Sequence, residues 1–212
     1  MTFTFSFRRD IMSKLLYIKA NAKPQEASRT YRISDSFIEN YQSLHPEDEI
    51  ITLDLYREGI SLLTYDDINS VFGTKTEESK KHPILKYAYQ FAEADKYVIS
   101  APMWNLSIPA ILKAYIDYIC VTGITFKYTA DGPVGLCKDK KAVYIVSRGG
   151  EYSDGPASAI EMGDRYLRTI FAFMGISDFT TISADGLDII GNDVDAIVGD
   201  AIKRAQELAK SF

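Results

Sequence analysis

The sequence predicts an open α/β fold: five parallel strands in a doubly wound sheet, ordered 2-1-3-4-5. Three observations carry that prediction. Short apolar runs at 14–20, 49–55, 96–101, 141–146 and 179–183 alternate with segments of helical apolar spacing, the pattern of successive βαβ units with right-handed crossovers. The first run, KLLYIKA, is almost continuously apolar, as a strand covered on both faces requires. Finally, residues 98–109 (VISAPMWNLSIP) pass from strand through loop into helix, a junction that lies at the carboxyl edge of a parallel sheet, where ligands bind. In this order the switch point falls between strands one and three.

Residues 1–12 read as a peripheral extension before one domain at 13–212, with no repeat or Pro/Gly-rich linker to divide it. Phe3, Phe5 and Phe7 alternate with polar residues and suit an extra edge strand. Arg8 and Arg9 after them, with no apolar core following, do not suit a signal peptide. The first strand ends at Asn21, and Ser28 reads as the N-cap of a helix with Ile33, Phe37, Ile38 and Tyr41 on one stripe. Asn21, Ser28, Arg29 and Thr30 at a helix start suit a phosphate, through backbone N–H groups, hydroxyls and the helix dipole. A plain capped helix would use the same residues. Neither GxGxxG nor GxxxxGK[ST] is present, so a monophosphate suits the loop better than a pyrophosphate or triphosphate.

After the second strand, residues 56–79 form a polar excursion with a short helical piece at 65–72, a surface loop or lid. A helix at 81–93 returns the chain to the third strand. Pro102 ends that strand because it has no N–H for the ladder. Ser107 reads as an N-cap with Pro109 in the first turn, and Leu112, Tyr115, Ile116 and Ile119 follow at helical spacing. Between them stand Met103, the only tryptophan, Trp104, and the amide of Asn105. These groups suit a flat heteroaromatic ring, although Met103 and Trp104 would also serve as core. Residues 125–135 read as a hairpin-like flap.

The fourth strand ends in Ser147-Arg148-Gly149-Gly150. The two glycines allow a close approach of backbone to ligand and positive φ; Arg148 offers fixed donors, or else a surface salt bridge. Tyr166, Ile170, Phe173 and Met174 mark a helix stopping at Gly175, and the last helix covers 194–209. The helix at 107–121 carries Leu112, Tyr115, Ile116, Tyr118 and Ile119 on more than one face. With the flap and the pair Phe171 and Phe173, this predicts a two-fold homodimer burying the surplus.

Hydrophobic residues make up 46% and charged residues 25% of the 212, the composition of a soluble domain with a sizeable core. A net charge of -5 without a basic face excludes nucleic acid, and no apolar run approaches a membrane span. Cys120 and Cys137 read as isolated thiols of a reducing cytosol, and His45 and His82 stand alone. No metal site and a cytoplasmic location are therefore expected.

The segments Ala101-Pro102-Met103-Trp104-Asn105-Leu106, Thr125-Phe126-Lys127-Tyr128-Thr129 with Asp131-Gly132-Pro133 and Gly135-Leu136, and Ser147-Arg148-Gly149-Gly150 together resemble the flavodoxin-like FMN-dependent NADH azoreductase family. The likeness runs from Ser13 to the C-terminus. It implies an FMN-bound homodimer that uses NADH or NADPH to reduce quinones and azo compounds by ping-pong two-electron hydride transfer. It implies, further, that Asn21, Ser28, Arg29 and Thr30 hold the phosphate, that Pro102, Met103, Trp104, Asn105 and Leu106 run along the isoalloxazine, and that Ser147, Arg148, Gly149 and Gly150 meet its pyrimidine edge. The Gly149 and Gly150 N–H groups are then candidates to stabilise charge on the reduced ring. Tyr128, Tyr152 and Phe173 would line the substrate pocket, the first and last from the partner subunit, with Tyr152 a candidate proton donor. Asn21 stands where many relatives have serine, and Tyr152 where some have histidine. A flavodoxin-type electron carrier and a hydrolase resembling acyl-carrier-protein phosphodiesterase are the alternatives. The first lacks its Thr/Ser-rich phosphate loop here, and the second has no nucleophile elbow, metal cluster or His-based dyad.

Overall fold

A computed structural model describes residues 12–212, so the expected edge strand at Phe3, Phe5 and Phe7 lies outside the described residues. Five parallel strands form the sheet: β1 (Lys14–Lys19), β2 (Glu49–Asp54), β3 (Lys96–Ser100), β6 (Lys141–Ser147) and β7 (Asp178–Ala184), ordered β2-β1-β3-β6-β7. The flap is an antiparallel hairpin, β4 (Phe126–Thr129) with β5 (Gly132–Gly135). Counted over all strands the order is thus 2-1-3-6-7 rather than 2-1-3-4-5, because the hairpin supplies the fourth and fifth strands and stays outside the sheet.

Alternate residues of each strand feed two separate cores, which is why the strands read as unbroken apolar runs. Leu15, Tyr17, Val98, Val143 and Ile145 face α1 (Arg29–Leu44) and α6 (Val194–Ala209). Leu16, Ile18, Ile99, Tyr144 and Val146 face α3 (Leu85–Glu93), α4 (Ala110–Ile119) and α5 (Gly163–Met174). Between β2 and α3 lies the short α2 (Tyr65–Phe72).

Helix ends depart from expectation in two places, each for a local reason. The helix expected at 81–93 begins only at Leu85. His82 precedes a proline, which holds it extended at ψ 135, and its Nδ1 accepts from the Ile84 and Leu85 N–H groups (3.2 and 3.4 Å). Ser107 does not cap α4; Pro109 occupies that position, because Trp104 takes both backbone groups of Ser107. At the other end of α5, Gly175 adopts φ 103 and closes the helix as its sequence position suggests.

The surplus apolar face of α4 is not surplus. Leu112, Tyr115, Ile116, Tyr118 and Ile119 are all buried within the chain. Tyr87 of α3 packs edge-on against Tyr115 (6.1 Å) and tilted against Tyr118 (6.0 Å), and the Ser61 N–H donates to the Tyr118 hydroxyl (3.2 Å). Phe171 likewise belongs to the core, between Phe91 and Phe179. The apolar-face reason for a dimer therefore falls away, since the returning helix and the polar excursion cover what the sheet does not. Cys120 and Cys137 are free thiols. Burial pushes both up to about 11, which leaves them protonated and poor nucleophiles near neutral pH.

Candidate functional site

At the carboxyl edge of the sheet the loops after β1, β3 and β6 meet a fourth loop, the one after β7. They line one open cleft of about 140 Å³, shallower than the usual enclosed small-molecule site.

The loop after β1 is fixed from within. The Tyr31 hydroxyl accepts from the Asn21 N–H and donates to the Asn21 carbonyl, both at 3.0 Å, and burial pushes it up to about 12. Asn21 Nδ2 donates to Ser28 Oγ (2.8 Å), and Ser28 Oγ caps α1 by accepting from the Tyr31 N–H (3.1 Å). Ser28 is buried and does not line the cleft; its hydroxyl is already committed to the cap. Lys23, Arg29 and Thr30 do line it, so two cations flank the start of α1, where the helix dipole already favours an anion. The Thr30 and Ser147 hydroxyls are 2.6 Å apart and tie the first loop to the loop after β6.

The opposite wall is Pro102, Met103 and Trp104. Met103 packs partly on the core and donates its N–H to the Ser147 carbonyl (3.0 Å). Trp104 is 38% exposed, hence no core residue. It opens a tight turn in which Trp104 and Ser107 exchange backbone hydrogen bonds of 2.9 and 3.0 Å, with Asn105 at φ 50 and Leu106 at φ 68. Positive φ at both central residues is the type I′ pattern, which favours Asn followed by Gly. Asn105 and Leu106 sit at the turn and do not line the cleft.

In the loop after β6, neither Gly149 nor Gly150 has positive φ. What these positions need is room. A Cβ on Gly149 would come within 2.6 Å of an Asp188 carboxylate oxygen, and one on Gly150 within 3.0 Å of the Tyr152 ring. Among the described residues their N–H groups have no protein partner. Arg148 is not a surface residue: it is 4% exposed, with Nη2 3.4 Å from Glu161 and Nη1 3.5 Å from Asp185. Its side chain points behind the cleft, and its contribution in front is the loop backbone. Tyr152 lies on that rear side, in a neighbouring cleft shared with Ser153 and Glu161. Tyr128, 71% exposed, stacks edge-on against Phe126 (5.4 Å), which meets Phe173 at 4.7 Å. None of Tyr128, Tyr152 and Phe173 lines the main cleft of its own chain.

The fourth loop is zipped to the third. The Gly186, Leu187 and Asp188 N–H groups donate to the Gly150, Arg148 and Gly149 carbonyls at 3.0, 3.1 and 2.9 Å. Arg29 closes the circle from α1, reaching the Leu187 carbonyl (3.2 Å) and the Asp188 carboxylate (2.9 Å). A cationic helix start, an aromatic-thioether wall and unpartnered backbone donors thus share one cleft, a donor set suited to a phosphorylated flat heterocycle. Among the described residues no cluster of His, Cys, Asp or Glu could hold a metal.

A family profile described as a flavodoxin-like fold matches residues 13–209. The chain belongs to this flavodoxin-like family. Within it, an FMN-dependent NADH:quinone oxidoreductase 2 from Clostridium acetobutylicum is 68% identical over 201 residues, 95% of this chain and 100% of the relative. The crystal structure of an azoreductase from Bacillus anthracis str. Sterne aligns with TM-score 0.86 and 38% identity, covering 95% of this chain and 100% of that one. A second one, of an FMN-dependent NADH-azoreductase from Bacillus anthracis str. Ames Ancestor in complex with FMN, aligns with TM-score 0.85 and 29% identity, covering 94% and 99%.

Sequence reading of this flavodoxin-like chain missed Lys23, Leu187 and Asp188. The last two follow a strand end like the other three loops, and Gly186 at φ 74 marks the turn; the same edge rule, applied to the fifth strand, would have found them. The strained turn makes a prediction of its own. A non-glycine residue in the left-handed region costs about 1–2 kcal/mol, so Leu106→Gly should leave stability unchanged or raise it by up to about 1 kcal/mol. Urea unfolding tests this, and a loss above about 1 kcal/mol would show that the Leu106 side chain outweighs its backbone strain.

Proposed function

We propose that this chain is an FMN-dependent NADH:quinone oxidoreductase that also reduces azo compounds. The observation that carries the reading is the cleft itself, where a monoanion-to-dianion site at the start of α1 shares its lining with Met103, Trp104 and Gly149, whose N–H has no protein partner among the described residues; Gly150 follows just outside that lining. The donor set fits FMN, and the relatives' names support it. Lys23, Arg29, Thr30 and the first N–H groups of α1 hold the phosphate, while Asn21 and Ser28 shape that loop from beneath. Pro102, Met103 and Trp104 flank the ring. Asn105 and Leu106 set the turn that presents it, and Ser147, Gly149 and Gly150 serve the pyrimidine edge. Bound FMN would supply two-electron chemistry between NADH or NADPH and the acceptor; the chain binds, orients and tunes it. Its largest electrostatic contribution is the pair of glycine N–H donors, preorganised by the ladder to the fourth loop, toward charge developing on the reduced ring.

Residues 13–212 act as one FMN-binding unit, in the cytoplasm, with no nucleic-acid partner; no described helix is long and apolar enough to cross a membrane. Two copies associate about a two-fold axis, so that Tyr128 and Phe173 of one reach the cleft of the other. The support is now the string Tyr128–Phe126–Phe173, aromatic, partly exposed and away from its own cleft. Tyr152 remains a candidate proton source from its rear cleft.

Because Trp104 is the only tryptophan, titrating the apoprotein with FMN tests the placement directly. Indole fluorescence should be strongly quenched at one FMN per subunit. FMN binding without any change in that signal would place the ring elsewhere. Mass measurement in solution tests the dimer: a monomer with full activity contradicts it.

A further inference from the structure

Where β1, β3 and α1 meet, the hydroxyls of Tyr17, Ser34 and Ser100 are buried at a place where apolar side chains would pack as well. Tyr17 donates to Asp35 Oδ1 (2.7 Å), and burial and the Asp35 charge push its phenol up, so it keeps that proton. Its oxygen therefore accepts from Ser34 (2.6 Å), and Ser34 Oγ in turn accepts from Ser100 (2.8 Å). Beyond Asp35 the series of bonds reaches Gln25, in the loop after β1. Its other end, Ser100, closes β3 just before the Pro102, Met103 and Trp104 wall. Thr30, which lines the cleft, sits one turn before Ser34 on the same face of α1. A satisfied buried network of this kind fixes how elements sit against one another, where apolar contact alone tolerates sliding.

Resting on the FMN reading above, we infer that Ser100 is a positioning residue. Through Ser34 it locks the start of α1 to the end of β3, and so sets the spacing between the phosphate site and the ring wall. β1 and β3 are held together by their ladder, whereas α1 joins them through side chains. A ligand that bridges two sites gains from the second contact only when their separation matches its own span. FMN is such a ligand. Riboflavin engages the ring wall alone and inorganic phosphate the helix start alone, so neither depends on the spacing. Ser100 donates the last bond of the series, so its removal leaves no other donor without an acceptor: Ser34 still donates to Tyr17.

The test titrates full-length apoprotein with FMN and riboflavin by flavin fluorescence, and with inorganic phosphate by competition against FMN. Wild type, Ser100→Ala, Ser34→Ala and the double variant are compared, with thermal unfolding as the check on folding. Ser100→Ala should weaken FMN about fivefold, the order of one net hydrogen bond, while riboflavin and phosphate move less than about twofold. Ser34→Ala should weaken FMN at least as far, and the double variant no further than Ser34→Ala, since both changes remove the same bond. Parallel losses for all three ligands, an unchanged FMN affinity, or effects that simply add in the double variant would overturn the inference while leaving FMN binding by wild type intact. A Ser100→Ala protein that does not fold would overturn it too, because the bond would then carry the core rather than the cleft. Wild type that binds no FMN would instead overturn the FMN reading, and this inference with it.

Discussion

Replacing Gly135 with alanine is expected to loosen the hairpin and cost the protein roughly 3 kcal/mol, the upper end of ordinary overpacking. The methyl group would fall on backbone atoms of Met174 and Gly175, closer than atoms can pack. Neither side has a flexible side chain to move aside. The hairpin's anchorage depends on this contact, since the Cys137 N–H donates to the Met174 carbonyl (2.9 Å) just beyond it. Gly175 cannot yield either, because its φ of 103 closes α5. Denaturant unfolding should show the loss, and hydrogen exchange should localise it to residues 126–137. Because Tyr128 rides on β4, the KM for a quinone should rise as well. Wild-type stability in this variant would mean that the hairpin and the end of α5 are not packed as described.

The second large effect is expected at Arg148. Arg148→Met removes the one cation between two mostly buried carboxylates, Glu161 and Asp185. Stranding buried charge in this way costs about 3–5 kcal/mol. Glu161 also accepts from the Gly163 and Asp164 N–H groups (3.0 and 3.1 Å), so it holds the start of α5 as well. Asp185 accepts from the Tyr152 and Ser153 N–H groups (3.1 and 2.8 Å) and fixes the end of the loop after β6. FMN affinity should therefore fall along with stability, although the guanidinium does not face the cleft. Adding Glu161→Gln should recover part of the stability by removing one unpaired charge. If Arg148→Met unfolds like wild type in urea, the buried network does not carry this weight.

The parallel sheet was legible because each strand, buried on both faces, is a short apolar run, and three of the four site loops followed from strand ends alone. Side-chain destinations were less legible. Arg148 reads identically whether it faces a ligand or turns back, and only Glu161 and Asp185, distant in sequence, decide it. The turn at Trp104 was hidden because its second left-handed position holds Leu106 rather than glycine, so Ser107 looked like a helix cap. The faces of α4 that look free in the sequence are covered by Tyr87 and Ser61, which no periodicity within α4 records.

The central claim is that this cleft binds FMN and passes two electrons from NADH to a quinone. Anaerobic titration of the purified holoprotein, followed by its visible flavin absorption, tests it most directly. One equivalent of NADH per bound FMN should bleach the flavin, and one equivalent of a quinone should restore it, with no ternary complex needed. A protein that holds no flavin, or whose flavin stays oxidised in excess NADH, would contradict the account.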